Sequence, residues 1–438
     1  MLESILNQAK QQADSVEILF TDKKNAPLNF YNWRGIDVIE RHLRELSIRV
    51  IRNGRLGVAV GSLTARPGDL IDSALQAAAV GPRVLFDFPS TPSSGGGGII
   101  HDPRLAAMTT DDIVADGRAI YDYVKKQGGR FGLNLYFDNE CKEVSILNSN
   151  GKHESYRSTT FTASLLSMYE RSKEGINKEI TSCRYFTFPR QIIDELIAEN
   201  DFSSRLCEVP ARPMPVLFRA SSTWALLYRV LEGVNGHNVN RGLTPLMDKL
   251  NTRIFGDNVT LIDDPTMDYA PGATPFDDEG VPTDRKFIVE NGILRNFIFD
   301  LDAGAKAKRA STGNGLKRSM WMSGMDIMPG PRFNNLVMEP GDRNLADMVA
   351  DMAEGLIVND VIGFHSGNIL QGHYSMNVGI GFYVRGGKIQ GRAADTMIAG
   401  NIYQDFHRIE ARSNRLERNN LAYSPDLLIS DISVIGTA

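Results

Sequence analysis

Residues 274–300 read TPFDDEGVPTDRKFIVENGILRNFIFD, and the second half of this stretch decides the fold class. Two strand-like runs, KFIVE and ILRNFIF, flank the dipeptide Asn291-Gly292. Asn-Gly supplies the positive φ angles that a two-residue hairpin turn requires, so the stretch predicts an antiparallel hairpin. A hairpin argues against a parallel sheet, because parallel strands need long crossover connections.

Three further turn signals of the same kind occur along the chain. They are Asn53-Gly54 after LSIRVI, Asn150-Gly151 after VSILNS and Gly386-Gly387 after GIGFYV, and each is followed by another strand-like run. Two signals lie in each half, so we expect antiparallel sheet in both. The sequence therefore predicts an α+β fold of mainly antiparallel sheets with flanking helices. Helical patterns occur at residues 68–81, 109–129, 191–199, 222–233 and 344–356.

The length of 438 residues favours two domains, because single cores rarely grow past about 250–300 residues. Three prolines interrupt LCEVPARPMPVLF, residues 206–218, before a new strand begins. We therefore expect an N-terminal α+β domain at 1–208 and a C-terminal antiparallel β-rich domain at 209–438. Residues 82–98, between two predicted helices, predict a flexible loop, because the segment FDFPSTPSSGGGG is too rich in proline, serine and glycine to pack.

Composition excludes several classes of protein. The net charge is −5 and no long basic run occurs, so direct contact with nucleic acid is not expected. No stretch approaches the roughly 18 apolar residues of a membrane span, and the N-terminus lacks the features of a signal peptide, which predicts a cytoplasmic protein without membrane contact. The three cysteines form no CxxC pair, so neither a disulfide framework nor a thiolate zinc site is expected.

The segment LLYRVLEGVNGH, residues 226–237, begins as an apolar helix and carries one glutamate and one histidine. A zinc-hydrolase helix needs two histidines on one face and a glutamate beside the first to activate water. No histidine precedes Glu232, and two glycines interrupt the chain between Glu232 and His237. We therefore expect no metal on these residues alone, and no site role for Glu232 or His237.

Two other clusters leave alternatives open. His365 and His373 lie in GFHSGNILQGHYSMNVG, where they could converge on one ion or anionic ligand, or be two surface histidines of a loop. The acidic run PFDDEGVPTD contains Asp277 and Glu279, which could bind a cation or lie in a solvated turn before a strand. No GxSxG nucleophile elbow occurs in the sequence.

The order of several landmarks resembles the TldD/PmbA family, whose members are also described as modulators of DNA gyrase and as unusual metallopeptidases. These landmarks are TPFDDEGVPTDRKFIVENGILRNFIFD, STGNG at 311–315, the stretch with both histidines, MIAGN at 397–401 and ISDISVIGT at 429–437. In the first half, LSIRVIRNGRLGVAVGS and VSILNSNG resemble the hairpins of the family. The resemblance covers nearly the whole chain, and its motifs are specific in combination only.

The resemblance implies one of two types of member. The TldD type carries an HExxxH zinc motif and a C-terminal cysteine ligand, whereas the PmbA or TldE type keeps the fold without them. In this chain Tyr228 and Arg229 stand where the first histidine and the glutamate would be, and Gly233 stands where the second histidine would be. No cysteine follows Cys207. The chain is therefore similar to the PmbA/TldE type.

For that type, the resemblance implies a non-catalytic subunit of a zinc metallopeptidase that acts on unfolded or short peptides. We then expect no cofactor in this chain, zinc in a TldD-like partner, a heterodimer with that partner and a homodimer when the chain is alone. A peptide could add a strand to the sheet edge near residues 372–384. Two alternatives stay open: a gyrase-modulating binding protein, and an independent hydrolase in which His365, His373 and Asp277 or Glu279 converge.

Overall fold

The computed structural model describes residues 1–436 except 33–34, 64–65, 94–95, 130, 169–174, 320–321 and 421. Within the described residues, the strands form two eight-stranded sheets, one six-stranded sheet and one isolated pair. Nearly all pairings are antiparallel, which confirms the predicted α+β class. No helix among the described residues is long and apolar enough to cross a membrane.

The N-terminal half contributes the first eight-stranded sheet, in which every pairing is antiparallel. Its strands are β1 (Ser15–Asn25), β2 (Leu28–Tyr31), β3 (Ile36–Val38), β4 (Arg41–Arg52), β5 (Arg55–Ser62), β6 (Gly132–Asn148), β7 (His153–Met168) and β8 (Gly175–Ser182). The helices of this half are α1 (Leu2–Ala9), α2 (Pro67–Val80), α3 (Pro103–Ala107), α4 (Thr110–Lys126) and α5 (Arg190–Ser203). The strand order is β3-β2-β6-β1-β4-β5, with β7 and β8 continuing beyond β6.

The remaining strands are short in the middle of the chain and long towards its end. They are β9 (Leu206–Cys207), β10 (Pro213–Phe218), β11 (Leu261–Asp263), β12 (Lys286–Glu290), β13 (Ile293–Leu294), β14 (Gly315–Leu316), β15 (Gly330–Pro331), β16 (Leu336–Met338), β17 (Glu354–Ile362), β18 (His373–Arg385), β19 (Lys388–Ala393), β20 (Met397–Asn401), β21 (Ile409–Arg412), β22 (Glu417–Asn419), β23 (Ala422–Ser424) and β24 (Leu427–Ile435). The helices are α6 (Ala220–Val234), α7 (Gly236–Asn240), α8 (Leu301–Lys306), α9 (Leu345–Ala350) and α10 (Ile402–Asp405).

The second eight-stranded sheet closes on itself. Its strand order is β17-β10-β24-β20-β18-β19-β9, and β17 also pairs with β18, so five strands form a ring. Helix α6 packs beside this ring, and its buried face belongs to the largest hydrophobic core. A second core joins the two halves, because apolar residues of β6, α4 and α5 pack with those of β17 and β18. The domain boundary near residue 208 stays a prediction, with β9 just before it paired to β19.

All four predicted hairpins are confirmed. The turns at Asn53-Gly54, Asn150-Gly151, Asn291-Gly292 and Gly386-Gly387 connect the antiparallel pairs β4–β5, β6–β7, β12–β13 and β18–β19. Each turn has a glycine at positive φ, as the turn geometry requires. Local turn chemistry alone therefore located these four strand pairs.

Two expectations were wrong. The helix expected over 344–356 ends at Ala350, and residues 354–356 begin β17, where Leu356 and Val358 are buried in the closed sheet. The loop at 86–98 does pack, although residues 94–95 lie outside the described part. A Cβ at Gly98 would lie 2.6 Å from a backbone oxygen of the C-terminal half, so the glycine permits a close approach between the halves.

Candidate functional site

Helix α6 carries the position where the resemblance places a metal, and Arg229 fills it. The side chain is fully buried. Its guanidinium donates four hydrogen bonds to backbone carbonyls: Nη1 to Ala225 at 2.7 Å, Nε to His373 at 2.8 Å, and Nη2 to Phe364 at 2.8 Å and Ser366 at 3.0 Å. Burial lowers the pKa of Arg229 to about 10, which still leaves it charged at neutral pH. The guanidinium therefore joins α6 to the loop that carries both candidate histidines.

Gly233 leaves no space for a metal-binding side chain one turn further along α6. A Cβ at this position would lie 2.3 Å from the hydroxyl oxygen of Tyr403 and 3.1 Å from Leu246. Tyr403 is held in place by stacking on Phe255, with ring centroids 5.9 Å apart. The ring of Tyr403 from α10 therefore occupies the space that a side chain at position 233 would need.

Tyr228 is half-buried and packs edge-on against Phe364, with centroids 5.7 Å apart. Burial, together with the nearby charge of Glu232, raises the pKa of Tyr228 to about 12, so the phenol stays protonated at neutral pH. Glu232 pairs with Arg332 at 3.4 Å and accepts a hydrogen bond from Asn238 at 3.0 Å. The contacts of Glu232 are structural, with an arginine and an asparagine side chain as partners.

The donor set on α6 does not fit a divalent cation. Tyr228 is a protonated phenol, Arg229 is a cation committed to four carbonyls, and Gly233 has no side chain. Zinc binds thiolate, imidazole or carboxylate ligands. Among the residues that the structure describes, no group of three or more histidine, cysteine, aspartate or glutamate side chains could hold a metal.

His365 and His373 lie at the ends of an exposed loop, and both side chains are exposed. The backbone of this loop is fixed, because His373 N donates to the Asn368 carbonyl at 3.0 Å and Arg229 binds its two ends. The histidines do not meet Asp277 and Glu279, which are only 1% and 2% exposed. The convergence that an independent hydrolase site would require is therefore not found in the described part of the chain.

Asp277 and Glu279 belong to a buried joint between the two halves, so the expectation of a solvated turn was wrong. Asp277 accepts three backbone hydrogen bonds, from Glu279, Val281 and Gly315, at 2.8 to 3.0 Å. Glu279 Oε1 accepts from Nη1 of Arg49 at 2.8 Å, and Oε2 accepts from Leu301 N at 2.7 Å. Since Arg49 lies on β4, the acidic turn is bound directly to the first sheet.

Arg49 is shared between two carboxylates. Its Nη2 lies 2.7 Å from Glu17 Oε1 on β1, and all three residues are at most 2% exposed. Burial raises the pKa of Glu17 to about 7, and the charge of Glu279 adds to this rise, whereas Arg49 and the more distant Lys317 oppose it. Burial likewise raises the pKa of Asp277 and of Glu279.

Comparison with known proteins identifies the family. A family model described as the PmbA/TldA metallopeptidase C-terminal domain matches residues 211–436, more than half of the chain. The chain belongs to the PmbA/TldD family. A relative in Haemophilus influenzae named metalloprotease PmbA homolog is 26% identical over 430 residues, covering 92% of this chain and 90% of that protein. An uncharacterised protein of Methanocaldococcus jannaschii is 23% identical and covers 98% of both chains.

The fold is also that of a solved member. The crystal structure of TldE from Thermococcus kodakarensis superposes with a TM-score of 0.90 at 20% identity, over 99% of this chain and 100% of that one. At this identity the likeness concerns the fold alone.

Two of the landmarks that resemble the PmbA/TldD family, the acidic turn and STGNG, lie together at the joint. Asn314 of STGNG is fully buried and donates to Asp263 at 2.7 Å, and Gly315 lies so close to Glu279 that a Cβ would meet its Oε2 at 2.2 Å. His237 also reaches this region, because its Nε2 lies 3.0 Å from Asp300, a contact that raises the pKa of the imidazole. His237 therefore has a structural partner that its sequence context did not indicate.

Sequence reasoning missed Arg49 and Glu17. Arg49 lies inside LSIRVI and Glu17 inside SVEILF, on strands whose flanking residues are buried. A charged residue in the middle of such a strand is rarely buried unless it has a partner. That mismatch was the available signal, but it gives no indication of which distant residue is the partner.

Proposed function

We propose that this chain is a non-catalytic, TldE-like subunit that pairs with a TldD-type zinc metallopeptidase and helps to position its peptide substrate. The single observation that carries this proposal is the environment of Arg229. A buried guanidinium with four carbonyl partners stands at the position where the resemblance places the glutamate that would activate a zinc-bound water, which supports the proposal. The names of the relatives, metalloprotease PmbA homolog and TldE, supply the class of reaction and the type of subunit.

The idea that a peptide adds to the edge near residues 372–384 needs revision. Strand β18 pairs with β17 over 377–385 and with β20 or β19 on its other side, so most of this strand has no free edge. A peptide would have to use another surface of this chain.

The test compares the chain alone with the chain mixed with a TldD-type subunit from the same organism. We expect the isolated chain to bind no stoichiometric zinc and to hydrolyse no peptide. The mixture should hydrolyse an unstructured peptide. Replacing the metal-binding histidines of the TldD-type subunit should abolish hydrolysis by the mixture, whereas Arg229→Lys in this chain should preserve most of it. One tightly bound zinc per chain, with activity of the isolated chain lost on chelation, would contradict the proposal.

A further inference from the structure

A cleft of about 420 Å³ lies between the first sheet and loops of the C-terminal half, outside the positions considered above. One wall is the sheet face that carries Lys23, Leu43 and Lys142, and the other carries Asp278 and Arg318. Side chains alternate along a strand, so this wall continues the face that holds Glu17 and Arg49. The C-terminal half covers that face at the Arg49 end and leaves it accessible at the Lys23 end.

The strand register places two lysines side by side on this face. Lys23 of β1 is directly opposite Lys142 of β6, and Leu43 of β4 is opposite Lys23 on the other side. Like charges directly opposite each other are unfavourable in a sheet. Lys23 pairs with Glu140 at 2.5 Å. The ammonium of Lys142 makes no direct ion pair among the described residues, and it interacts at longer range with Tyr156, Asp278 and Glu140.

The opposite wall adds a second cation with an unused donor. The Nε of Arg318 is buried and has no hydrogen-bond partner among the described residues, while its Nη2 donates to the carbonyls of Phe333 and Asn334. Asp278 acts electrostatically on both Arg318 and Lys142, and its Oδ2 already accepts from Lys317 N at 2.6 Å. The lining of the cleft carries four cations, Lys23, Lys142, Lys317 and Arg318, and three carboxylates, Glu45, Glu140 and Asp278. The cleft therefore has an excess of one positive charge, which suits an anionic group.

The exposed side chain of Leu43 supplies an apolar surface two strands away from Lys142. Leu43 is 44% exposed, and the spacing of about 4.8 Å between strands puts it about 10 Å from Lys142 across the sheet. An extended peptide advances about 3.3 Å per residue, so about three residues span this distance. An inorganic anion would leave Leu43 in water, and an uncharged apolar ligand would leave the excess positive charge of the cleft unbalanced.

We propose that this cleft binds the C-terminal end of a peptide, with the terminal carboxylate between Lys142 and Arg318 and an apolar side chain, about three residues from the end, on Leu43. The choice of a peptide rests on the proposed function, whereas the carboxylate and the apolar contact rest on the cleft itself. A volume of about 420 Å³ lies within the roughly 300–1,000 Å³ of small-ligand sites.

The test is calorimetric titration of the isolated full chain with acetyl-Leu-Ala-Ala as the free acid and as the C-terminal amide. We expect the acid to bind, and the amide to bind at least about tenfold more weakly, because a charge-assisted hydrogen bond is lost. Lys142→Gln should weaken binding of the acid by a similar factor. The matched control is Lys24→Gln, which removes the same charge from the opposite face of β1 and should leave binding unchanged.

Leu43→Ser should weaken binding of acetyl-Leu-Ala-Ala but not of acetyl-Ala-Ala-Ala. Equal binding of acid and amide, no effect of Lys142→Gln, or no binding of the acid at millimolar concentration would each overturn the inference. Tight binding of 4-methylpentanoate alone would also overturn it, because the occupant would then be a small acid. Because neither zinc nor a partner enters this titration, its result is independent of whether the chain assembles with a metallopeptidase.

Discussion

Replacing Glu17 with glutamine tests the reading of the buried joint most directly. Glu17 and Glu279 share the guanidinium of Arg49, and all three groups are withdrawn from water. Burial raises the pKa of Glu17 from 4.5 to about 7, with Arg49 opposing the rise. Glu17→Gln keeps the size and one hydrogen-bond acceptor of the protonated acid but removes its ionisation, so it isolates the effect of the charge.

The magnitude follows from the two pKa values. Because the pKa in the folded state lies above that in the unfolded state, the stabilising contribution of Glu17 is fully present below pH 4.5 and is lost as the pH rises through about 7. Each pKa unit is worth about 1.4 kcal/mol, so the free energy of unfolding falls by about 3 kcal/mol across this range on account of Glu17. The glutamine variant should not show this loss.

The assay is denaturant unfolding of the wild type and Glu17→Gln at pH 5 and pH 8. We expect similar free energies of unfolding at pH 5, and at pH 8 a variant that is more stable than the wild type by up to about 3 kcal/mol. Glu143→Gln is the control, because Glu143 is an exposed carboxylate on a neighbouring strand and its change should not alter the pH dependence. A variant that is less stable than the wild type at pH 8 would refute the reasoning, because ionised Glu17 would then be net stabilising.

Three other substitutions test the site and the joint. Arg229→Leu removes the guanidinium that donates to four carbonyls, so we expect the free energy of unfolding, measured with denaturant, to fall by about 3 kcal/mol or more. Amide exchange over residues 363–373 should become faster, and unchanged exchange there would contradict the role of Arg229 in joining this loop to α6. Gly233→Ala should cost about 1–3 kcal/mol by overpacking against Tyr403, measured by thermal unfolding, and added Tyr403→Phe should recover part of it. Arg49→Met should lower the free energy of unfolding by about 3–5 kcal/mol, because two buried carboxylates lose the arginine that they share. Arg52→Met, at the exposed end of β4, should lower it little, and equal effects of the two changes would rule out the shared ion pair.

Features encoded by neighbouring residues were predictable from the sequence. The four hairpins were found because Asn-Gly and Gly-Gly carry their turn geometry within two residues. Helix α4 was found because its capping threonine, acidic first turn and lysine-rich last turn are local signals, and Thr109 and Asp112 do form a capping box. The helix expected over 344–356 failed at its second half, where pairing within the closed sheet overrides an amphipathic pattern.

The buried joint could not be predicted, because its partners are far apart in sequence. Arg49 and Glu279 are 230 residues apart, and no local pattern indicates which of many acids the arginine meets. The same limit applies to Arg229, which was correctly placed on α6 but without its carbonyl partners 135 to 144 residues away. The glycines at 96–98 suggested flexibility from composition, whereas tertiary structure uses their small size for close contact.

The residues that reveal the family and the residues that determine its chemistry are different sets in this chain. Asp277, Glu279, Asn314 and Gly315 belong to the most recognisable landmarks, and all of them are buried in structural contacts, of which the bond between Glu279 and Arg49 connects the two halves. These contacts stabilise the fold, so they do not distinguish a catalytic from a non-catalytic member. Evidence on the type of subunit must therefore come from α6, where a guanidinium that binds four carbonyls cannot also leave room for a metal and a water.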